Sequence, residues 1–165
     1  MATGIHDPFP AIPGIGECLG ASIYLCPDCD GYETVDQNTA VIGGLPQALE
    51  LVEDSVEQLL HAKGKLQGLL LASGEQLDVT RAFLSFPGAK PQTGLLRSFS
   101  VRFNEKGHVL TNPRTMETDH PNVWAVGDIV EHSQQVASAM GDGAQAAIWI
   151  QKRLRDQDQT LAERR

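Results

Sequence analysis

Apolar positions along this chain fall into short runs punctuated by Gly, Pro and Asp, with one long helical pattern near the end. Residues 1–33 scatter Ile12, Ile15, Leu19, Ile23 and Leu25 among glycines and prolines, which reads as a long ordered loop with a short strand at Ser22–Leu25. Thr39–Ile42 is a compact apolar strand followed by Gly43-Gly44. Leu45, Leu49, Val52, Val56 and Leu59 then recur at helical spacing and predict a helix over Pro46–His61. Pro46 suits its first turn, where a missing N–H is harmless. Next comes a hairpin, Leu66–Leu71 and Gln76–Val79 around Ala72-Ser73-Gly74-Glu75, and then a strand at Arg81–Phe86.

A second hairpin, with arms Val101–Phe103 and His108–Leu110, turns near Gly107. Val123–Val126 is a short apolar strand closed by Gly127-Asp128. Val136, Met140, Gly143, Ala147, Ile150 and Leu154 lie three and four residues apart, predicting a helix over Gln135–Leu154. Gly141 and Gly143 weaken helix propensity, so close packing is expected around them. The polar tail Arg155–Arg165 is expected to fray. Together these elements predict an α/β fold: a mixed sheet with β-hairpins and a C-terminal helix.

Charge narrows the function classes more than composition does. The 165 residues are 41% hydrophobic and 21% charged, ordinary for one domain with a sizeable core. Thirteen Lys+Arg against 21 Asp+Glu give a net charge of −8. The first 60 residues hold 10 acidic side chains and no Lys or Arg, the first basic residue being Lys63. Such a surface offers no electrostatic footprint for nucleic acid or for an anionic membrane surface. No apolar run approaches the ~20 residues of a membrane span, and the N-terminus lacks the pattern of a signal peptide. A cytoplasmic location is the expectation.

The cysteines change the picture. Cys26 and Cys29 form a C-x-x-C within Cys26-Pro27-Asp28-Cys29-Asp30-Gly31-Tyr32-Glu33, and Cys18 stands apart. Three cysteines with one close pair point to redox or metal chemistry in a reducing compartment rather than to a secreted disulfide framework. Thiol–disulfide exchange runs through the thiolate. Asp28 and Asp30 oppose that form by like-charge repulsion, so a helix N-terminus or an oxidised flavin is needed beside the pair. Asp30 is placed to give or take the proton of the adjacent thiol. Half of a zinc site is the first alternative, although Cys18, His6, His61, His108, His120 and His132 show no ligand spacing. Inert thiols are the second.

A strand ending in Gly127-Asp128 would place a carboxylate at the strand's C-terminal end, where α/β folds bind cofactors and where the Asp can accept from a hydroxyl. Gln134-Gln135-Val136 opens the last helix, whose N-terminal N–H groups favour an electron-rich group.

In order along the chain stand Ala2-Thr3-Gly4, the C-x-x-C octapeptide, Val41-Ile42-Gly43-Gly44, Pro121-Asn122-Val123-Trp124-Ala125-Val126-Gly127-Asp128, and Gly143-Ala144-Gln145-Ala146-Ala147. This set resembles the low-molecular-weight thioredoxin reductases and their FAD/NAD(P)-dependent pyridine nucleotide-disulfide oxidoreductase relatives, across nearly the whole chain. The resemblance implies a truncated, Rossmann-like flavoprotein disulfide reductase. Residues 1–33 would be a loop and redox-motif segment, 34–80 a remnant of the pyridine-nucleotide domain, 81–155 the C-terminal part of the FAD domain, and 156–165 a tail. Cys29 would face the flavin as the charge-transfer thiolate, Cys26 would exchange with a protein or small-molecule disulfide, and Asp30 would serve as acid/base. Asp128 with Gly127 would bind the ribityl-phosphate region of FAD, and Gln135 and Val136 would lie against the isoalloxazine. Ala2, Thr3 and Gly4 would match the crossing between the two cofactor domains.

Departures from the pattern matter as much. The family's N-terminal βαβ unit, with its G-x-G-x-x-G for the FAD pyrophosphate, has no counterpart because the resemblance starts at Ala2. Gly14-Ile15-Gly16-Glu17-Cys18-Leu19-Gly20 is Gly-rich, but it follows Pro10 and Pro13 and precedes no helical pattern, so it reads as a loop. At the nucleotide turn of Gly43 and Gly44, Leu45 replaces the glycine that admits a pyrophosphate. The segment that would carry arginines for the NADPH 2′-phosphate is expected to be deleted after Leu51-Val52. FAD is therefore the implied cofactor and NADPH is not expected to bind. A homodimer or a completing chain would supply what is missing. The rival readings are a non-catalytic binding module and an FAD-dependent thiol oxidase that passes electrons to oxygen.

Overall fold

Lys63 and Gly64 show how local backbone chemistry sets the fold, because both take positive φ, 50° and 78°. Two such residues in succession make a tight two-residue hairpin turn. In the computed structural model, which describes residues 1–43 and 52–163, that turn joins strand β4 (Val56–Ala62) to β5 (Lys65–Leu71). Ala62 pairs with Lys65 and Val56 with Leu71, and β6 (Gln76–Leu77) adds to the other edge of β5. The helix expected over Pro46–His61 is corrected here. Its first part lies outside the described residues, and Val56–His61 is strand. A run this short carries period-2 and period-3.6 patterns about equally well, and pairing with β5 decides between them.

The chain divides into two units, Pro8–Gly88, and Met1–Asp7 together with Ala89–Arg165. The first holds the β4-β5-β6 meander and a parallel sheet of order β2-β7-β3, formed by β2 (Ile23–Tyr24), β3 (Thr39–Gly43) and β7 (Arg81–Ser85). Strands near Ser22–Leu25, Thr39–Ile42 and Arg81–Phe86 thus form as expected, as does the hairpin of β5 and β6. The stretch expected to be loop also contains a short helix, α1 (Ile15–Cys18). Ile15, Cys18, Ile23, Ile42, Leu59, Leu66, Leu69 and Leu84 form the core. Each fully buried aliphatic side chain among them contributes about 1.5–3 kcal/mol. Ser22, fully buried, donates its hydroxyl to the Gly64 carbonyl (2.8 Å) and accepts the Leu66 N–H (2.9 Å). It thereby fastens β2 to the hairpin turn.

The second unit has little regular sheet. Strand β1 (Ile5–His6) pairs antiparallel with β8 (Lys90–Pro91). The hairpin around Gly107 forms through Asn104 N–H to His108 O and Leu110 N–H to Arg102 O, 2.9 and 3.0 Å. Val123–Val126 is extended but makes only an isolated bridge, between Trp124 and Glu117, rather than the expected strand. Leu96, Val101, Val109, Ala125, Ile129 and Val130 form the core.

Helix α3 (Val136–Glu163) begins within one residue of expectation but runs through the tail that was expected to fray. Ala146 is its only buried residue, while Val136, Met140 and Leu154 are 76%, 71% and 55% exposed. Nothing lies within 4 Å of a Cβ placed on Gly141 or Gly143, so close packing does not account for these glycines. No helix among the described residues is long and apolar enough to cross a membrane.

Candidate functional site

Pro27 starts a short helix, α2 (Pro27–Asp30), with Cys26 as its N-cap. Proline at the first helical position leaves no N–H unpaired, and an N-cap side chain normally accepts a main-chain N–H of the first turn. Here the acceptor is sulfur: Cys26 Sγ takes the Cys29 N–H at 3.2 Å. The Cys26 carbonyl accepts from Cys29 and Asp30, 3.1 and 3.0 Å. The three-residue spacing brings the two Cα atoms to 5.3 Å, and the cysteines are joined as a disulfide. Cys29 is exposed, and Cys26 and Asp30 are half-buried. A thiolate at Cys26 therefore has a main-chain donor already aimed at it, which opposes the repulsion from Asp28 and Asp30.

Tyr32, next along the chain, is held above the ordinary phenol value by the adjacent Glu33 carboxylate. Cys18, by contrast, lies in the core, and burial raises its thiol pKa, leaving it unreactive.

Gly43 ends β3 with φ 126°, and a Cβ there would come within 2.0 Å of the Ser85 carbonyl oxygen. Its lack of a side chain makes room for the β3–β7 approach. Gly44, the second glycine of that expected turn, lies outside the described residues. Gly14 is equally occupied, since a Cβ would lie 2.9 Å from the Leu59 carbonyl. Within the Gly-rich run at Gly14–Gly20, Gly14 alone packs this way, since nothing lies within 4 Å of a Cβ placed on Gly16 or Gly20.

The remaining expected residues gather in the second unit. Main chain at Met1 meets the extended segment before Gly127 from both sides: the Met1 amino group donates to Trp124 O (2.6 Å) and Val126 N–H donates to Met1 O (3.0 Å). Thr3 Oγ1 donates to Gln92 O, and Gln92 N–H donates to Gly4 O. Ala2-Thr3-Gly4 and Gly127-Asp128, far apart in the chain, therefore stand on neighbouring backbone. Gly127 is buried in a left-handed conformation (φ 71°) and opens a 3-10 turn, Gly127–Ile129. That turn presents Asp128 half-buried, with Ile129 fully buried beneath it. Gln135 immediately precedes α3 and accepts the Ala139 N–H (3.0 Å), while Val136 starts the helix and is exposed.

Side chains that no local spacing singled out complete this region. Asp142 Oδ2 accepts the Gly127 N–H at 3.0 Å and meets His132 Nε2 at 2.5 Å. Arg153 binds Glu117 (2.8 Å) and Asn122 (3.0 Å) and lies over the Trp124 ring, and Gln145 donates to Arg114 O. Their only sequence signal is a row of polar residues along one side of α3.

This region therefore combines a buried left-handed glycine, a half-buried carboxylate after it, and the start of a long helix. No glycine-rich turn opening onto a long helix occurs among the described residues.

Residues 51–143, more than half of the chain, match the family described as pyridine nucleotide-disulphide oxidoreductase. The matched region contains Gly127, Asp128, Gln135 and Val136 and stops short of the cysteine pair. Thioredoxin reductase of Mycolicibacterium smegmatis is 27% identical over 203 residues, covering 96% of this chain and 64% of that protein. The matched stretch is longer than the 165-residue chain, so the relative carries internal residues with no counterpart here. Among solved structures, that of HlmI superposes with a TM-score of 0.83 at 30% identity, over 99% of this chain and 62% of that one. Thioredoxin reductase from Streptococcus pyogenes MGAS5005 shares the fold, with a TM-score of 0.82 at 19% identity over 94% of this chain and 64% of that one. The chain thus spans less than two thirds of the length of these relatives.

Proposed function

The chain belongs to the pyridine nucleotide-disulphide oxidoreductase family, and from that premise we propose that it is a thioredoxin-reductase-like oxidoreductase passing electrons between FAD and the Cys26–Cys29 pair. The observation that carries this reading is the disulfide at the head of α2, with Cys26 Sγ at the N-cap and accepting the Cys29 N–H. FAD, when bound, supplies the two-electron redox step. Gly127, Asp128 and the residues opening α3, Gln135 and Val136, would hold it, with Ala2, Thr3 and Gly4 alongside. Residues 81–155 are accordingly read as its FAD-side segment and 34–80 as a remnant of the pyridine-nucleotide side.

In the reduced chain, the Cys26 thiolate attacks one sulfur of a protein or small-molecule disulfide, RSSR, forming a mixed disulfide and expelling RS⁻. Cys29, deprotonated with Asp30 as proton acceptor, then attacks Cys26, closes the internal disulfide and releases the second RS⁻. Both thiolates leave as RSH after protonation, so two electrons and two protons pass from the dithiol to the substrate. No step is assigned to a nicotinamide: Leu45 stands where the family's turn has a glycine, and Gly43 packs against the Ser85 backbone. The same packing favours a second reading, thiol oxidation, in which two thiols become a disulfide while oxygen takes the electrons and protons as hydrogen peroxide. A homodimer or a completing chain would supply the rest of the cofactor site.

The test is spectroscopic. The purified chain, incubated with FAD and desalted, is expected to retain flavin absorbance that a dithiol bleaches and NADPH does not. A colourless protein whose thiols react identically with and without FAD overturns the catalytic reading in favour of a binding module. Bleaching by NADPH overturns the loss of the nicotinamide site. Continuous thiol consumption with peroxide release selects the oxidase.

A further inference from the structure

The loop bearing Asp128 is closed by a single carboxylate from elsewhere in the chain. Asp142, in the second turn of α3, uses Oδ2 to accept the Gly127 N–H on one side of Asp128, and the same oxygen meets His132 Nε2 on the other side. The other ring nitrogen of His132 lies 2.9 Å from the Ser133 carbonyl oxygen. A carbonyl oxygen only accepts, and so does a carboxylate. Both ring nitrogens must therefore carry hydrogen, and the geometry is that of an imidazolium.

We propose that Asp142 and protonated His132 form a positioning clasp that holds the Gly127–His132 segment against α3 and so fixes the aim of Asp128 toward a hydroxyl-bearing ligand. The ligand part of this inference rests on the FAD reading above; the clasp itself does not.

Three features give the clasp leverage. Ile129 and Val130 anchor the segment in the core, and Val109 N–H binds Ile129 O (2.8 Å), so the inner residues cannot drift. What remains free is the rotation of the ends, which Asp142 removes. Gly127 approaches α3 closely, with Ala139 Cβ 3.4 Å from where its own Cβ would be, so the N–H of that glycine reaches the carboxylate without a side chain intervening. Finally, the charges around His132 favour its cation. Burial pulls the imidazole pKa down, but the Ser133 carbonyl, Asp142 and then Asp128 outweigh it and hold it above the ordinary value. Glu105, Lys106, His108 and Glu131 are the other titratable residues lining the open cavity of about 680 Å³ that His132 shares.

The sign of the pH response follows. A histidine whose folded pKa is raised keeps its cation at low pH and loses it as pH rises through that value. The clasp is closed below the raised His132 pKa and opens as pH climbs through it.

The experiment uses the full chain, first without ligand. Imidazole nitrogen resonances are followed by NMR against pH, together with the exchange protection factor of the Gly127 amide. Expected are a His132 titration above the ordinary histidine value, a downward shift of that titration in Asp142→Asn, and a loss of Gly127 protection of about tenfold as His132 deprotonates, since charge-assisted hydrogen bonds of this kind carry at least that ratio. His132→Gln should leave the protection low and independent of pH. An unchanged His132 titration in Asp142→Asn, or a Gly127 protection factor insensitive to both substitutions, overturns the clasp.

With FAD added, the wild-type affinity is expected to fall about tenfold from pH 6 to pH 9, and His132→Gln should abolish that dependence. A pH-independent wild-type affinity overturns the positioning role. Failure of the wild type to take up FAD at any pH overturns the flavin reading instead, while the unliganded measurements still decide the clasp.

Discussion

The two units hold their chemically expressive residues in opposite ways. In Pro8–Gly88 the cysteine pair is arranged by its immediate neighbours: Pro27 starts the helix, Cys26 caps it, and the bonds that set the geometry span three or four residues. The sheets of this unit are long ladders, β4–β5 with two register shifts, and Gly43 and Gly14 pack against Ser85 and Leu59. In the unit of Met1–Asp7 and Ala89–Arg165 regular ladders are short, and side chains on α3 reach back to the loops, Asp142 to the Gly127 turn, Gln145 to Arg114 and Arg153 to Glu117. A local site keeps its geometry wherever its segment folds. One built from distant polar contacts depends on every element that contributes to it. Glycines alone do not separate the two cases; what occupies the missing Cβ does.

The contrast can be broken most sharply at the cysteines. Cys26→Ser should reduce disulfide exchange by about three orders of magnitude or more, measured as release of a chromogenic thiol, while the unfolding midpoint shifts little. A large stability loss would show that the pair is a structural staple and not a local reactive site. Gly43→Val comes next. Its side chain would collide with the Ser85 carbonyl from a left-handed φ, and urea unfolding should show a loss of about 3 kcal/mol or more. In Gly127→Ala the new Cβ would meet Ala139 at ordinary contact distance, 3.4 Å, so the positive φ should dominate, at about 1–2 kcal/mol. If Gly127→Ala were the costlier of the two, the assignment of packing to one glycine and site to the other would be reversed.

Ser22→Ala sharpens the comparison on the ladder side. It strands the buried Gly64 carbonyl and Leu66 N–H, and the same unfolding measurement should record a loss of about 1–3 kcal/mol. The smallest effect belongs to the polar clasp. Because its raised pKa favours the folded cation, His132 should contribute stability that is fully present below the unfolded histidine pKa of ~6.5 and lost as pH climbs through the higher folded value. Its side chain is 26% exposed, so solvent screening limits the contribution to about 1 kcal/mol. The pH dependence of the urea midpoint in wild type, compared with Asp142→Asn, measures it.

Legibility followed the range of the deciding interactions. Thr39–Ile42, Arg81–Phe86 and the β5–β6 hairpin were readable because an apolar run between turn residues has few alternatives at that length. Val56–His61 reads as helix because Val56 and Leu59 satisfy helical spacing, and the turn that fixes the strand, Lys63-Gly64, has a lysine where Asn or Asp would signal it. The end of α3 is illegible for a related reason: Arg155–Glu163 has a polar composition that gives no packing signal, yet it simply continues a helix already nucleated. At the site, the cysteine motif was visible in its spacing. His132 and Asp142 were not, because a residue pair ten positions apart acquires meaning only when a turn and a helix are folded against each other.

The sequence by itself therefore determined the α/β composition, the family resemblance, the position of the thiol pair at a proline-started turn, and the beginning of the last helix. All of these depend on residue type and spacing within a few positions. Tertiary structure alone decided that Val56–Ala62 is a strand, that Gly43 makes room for Ser85, that Met1–Gly4 lies beside Trp124–Val126, and that Asp142 closes the loop of Asp128. Each of those outcomes depends on which atoms fill a space or meet a hydrogen-bonding group. Occupancy of that kind is a property of segments brought together, and no segment carries it alone.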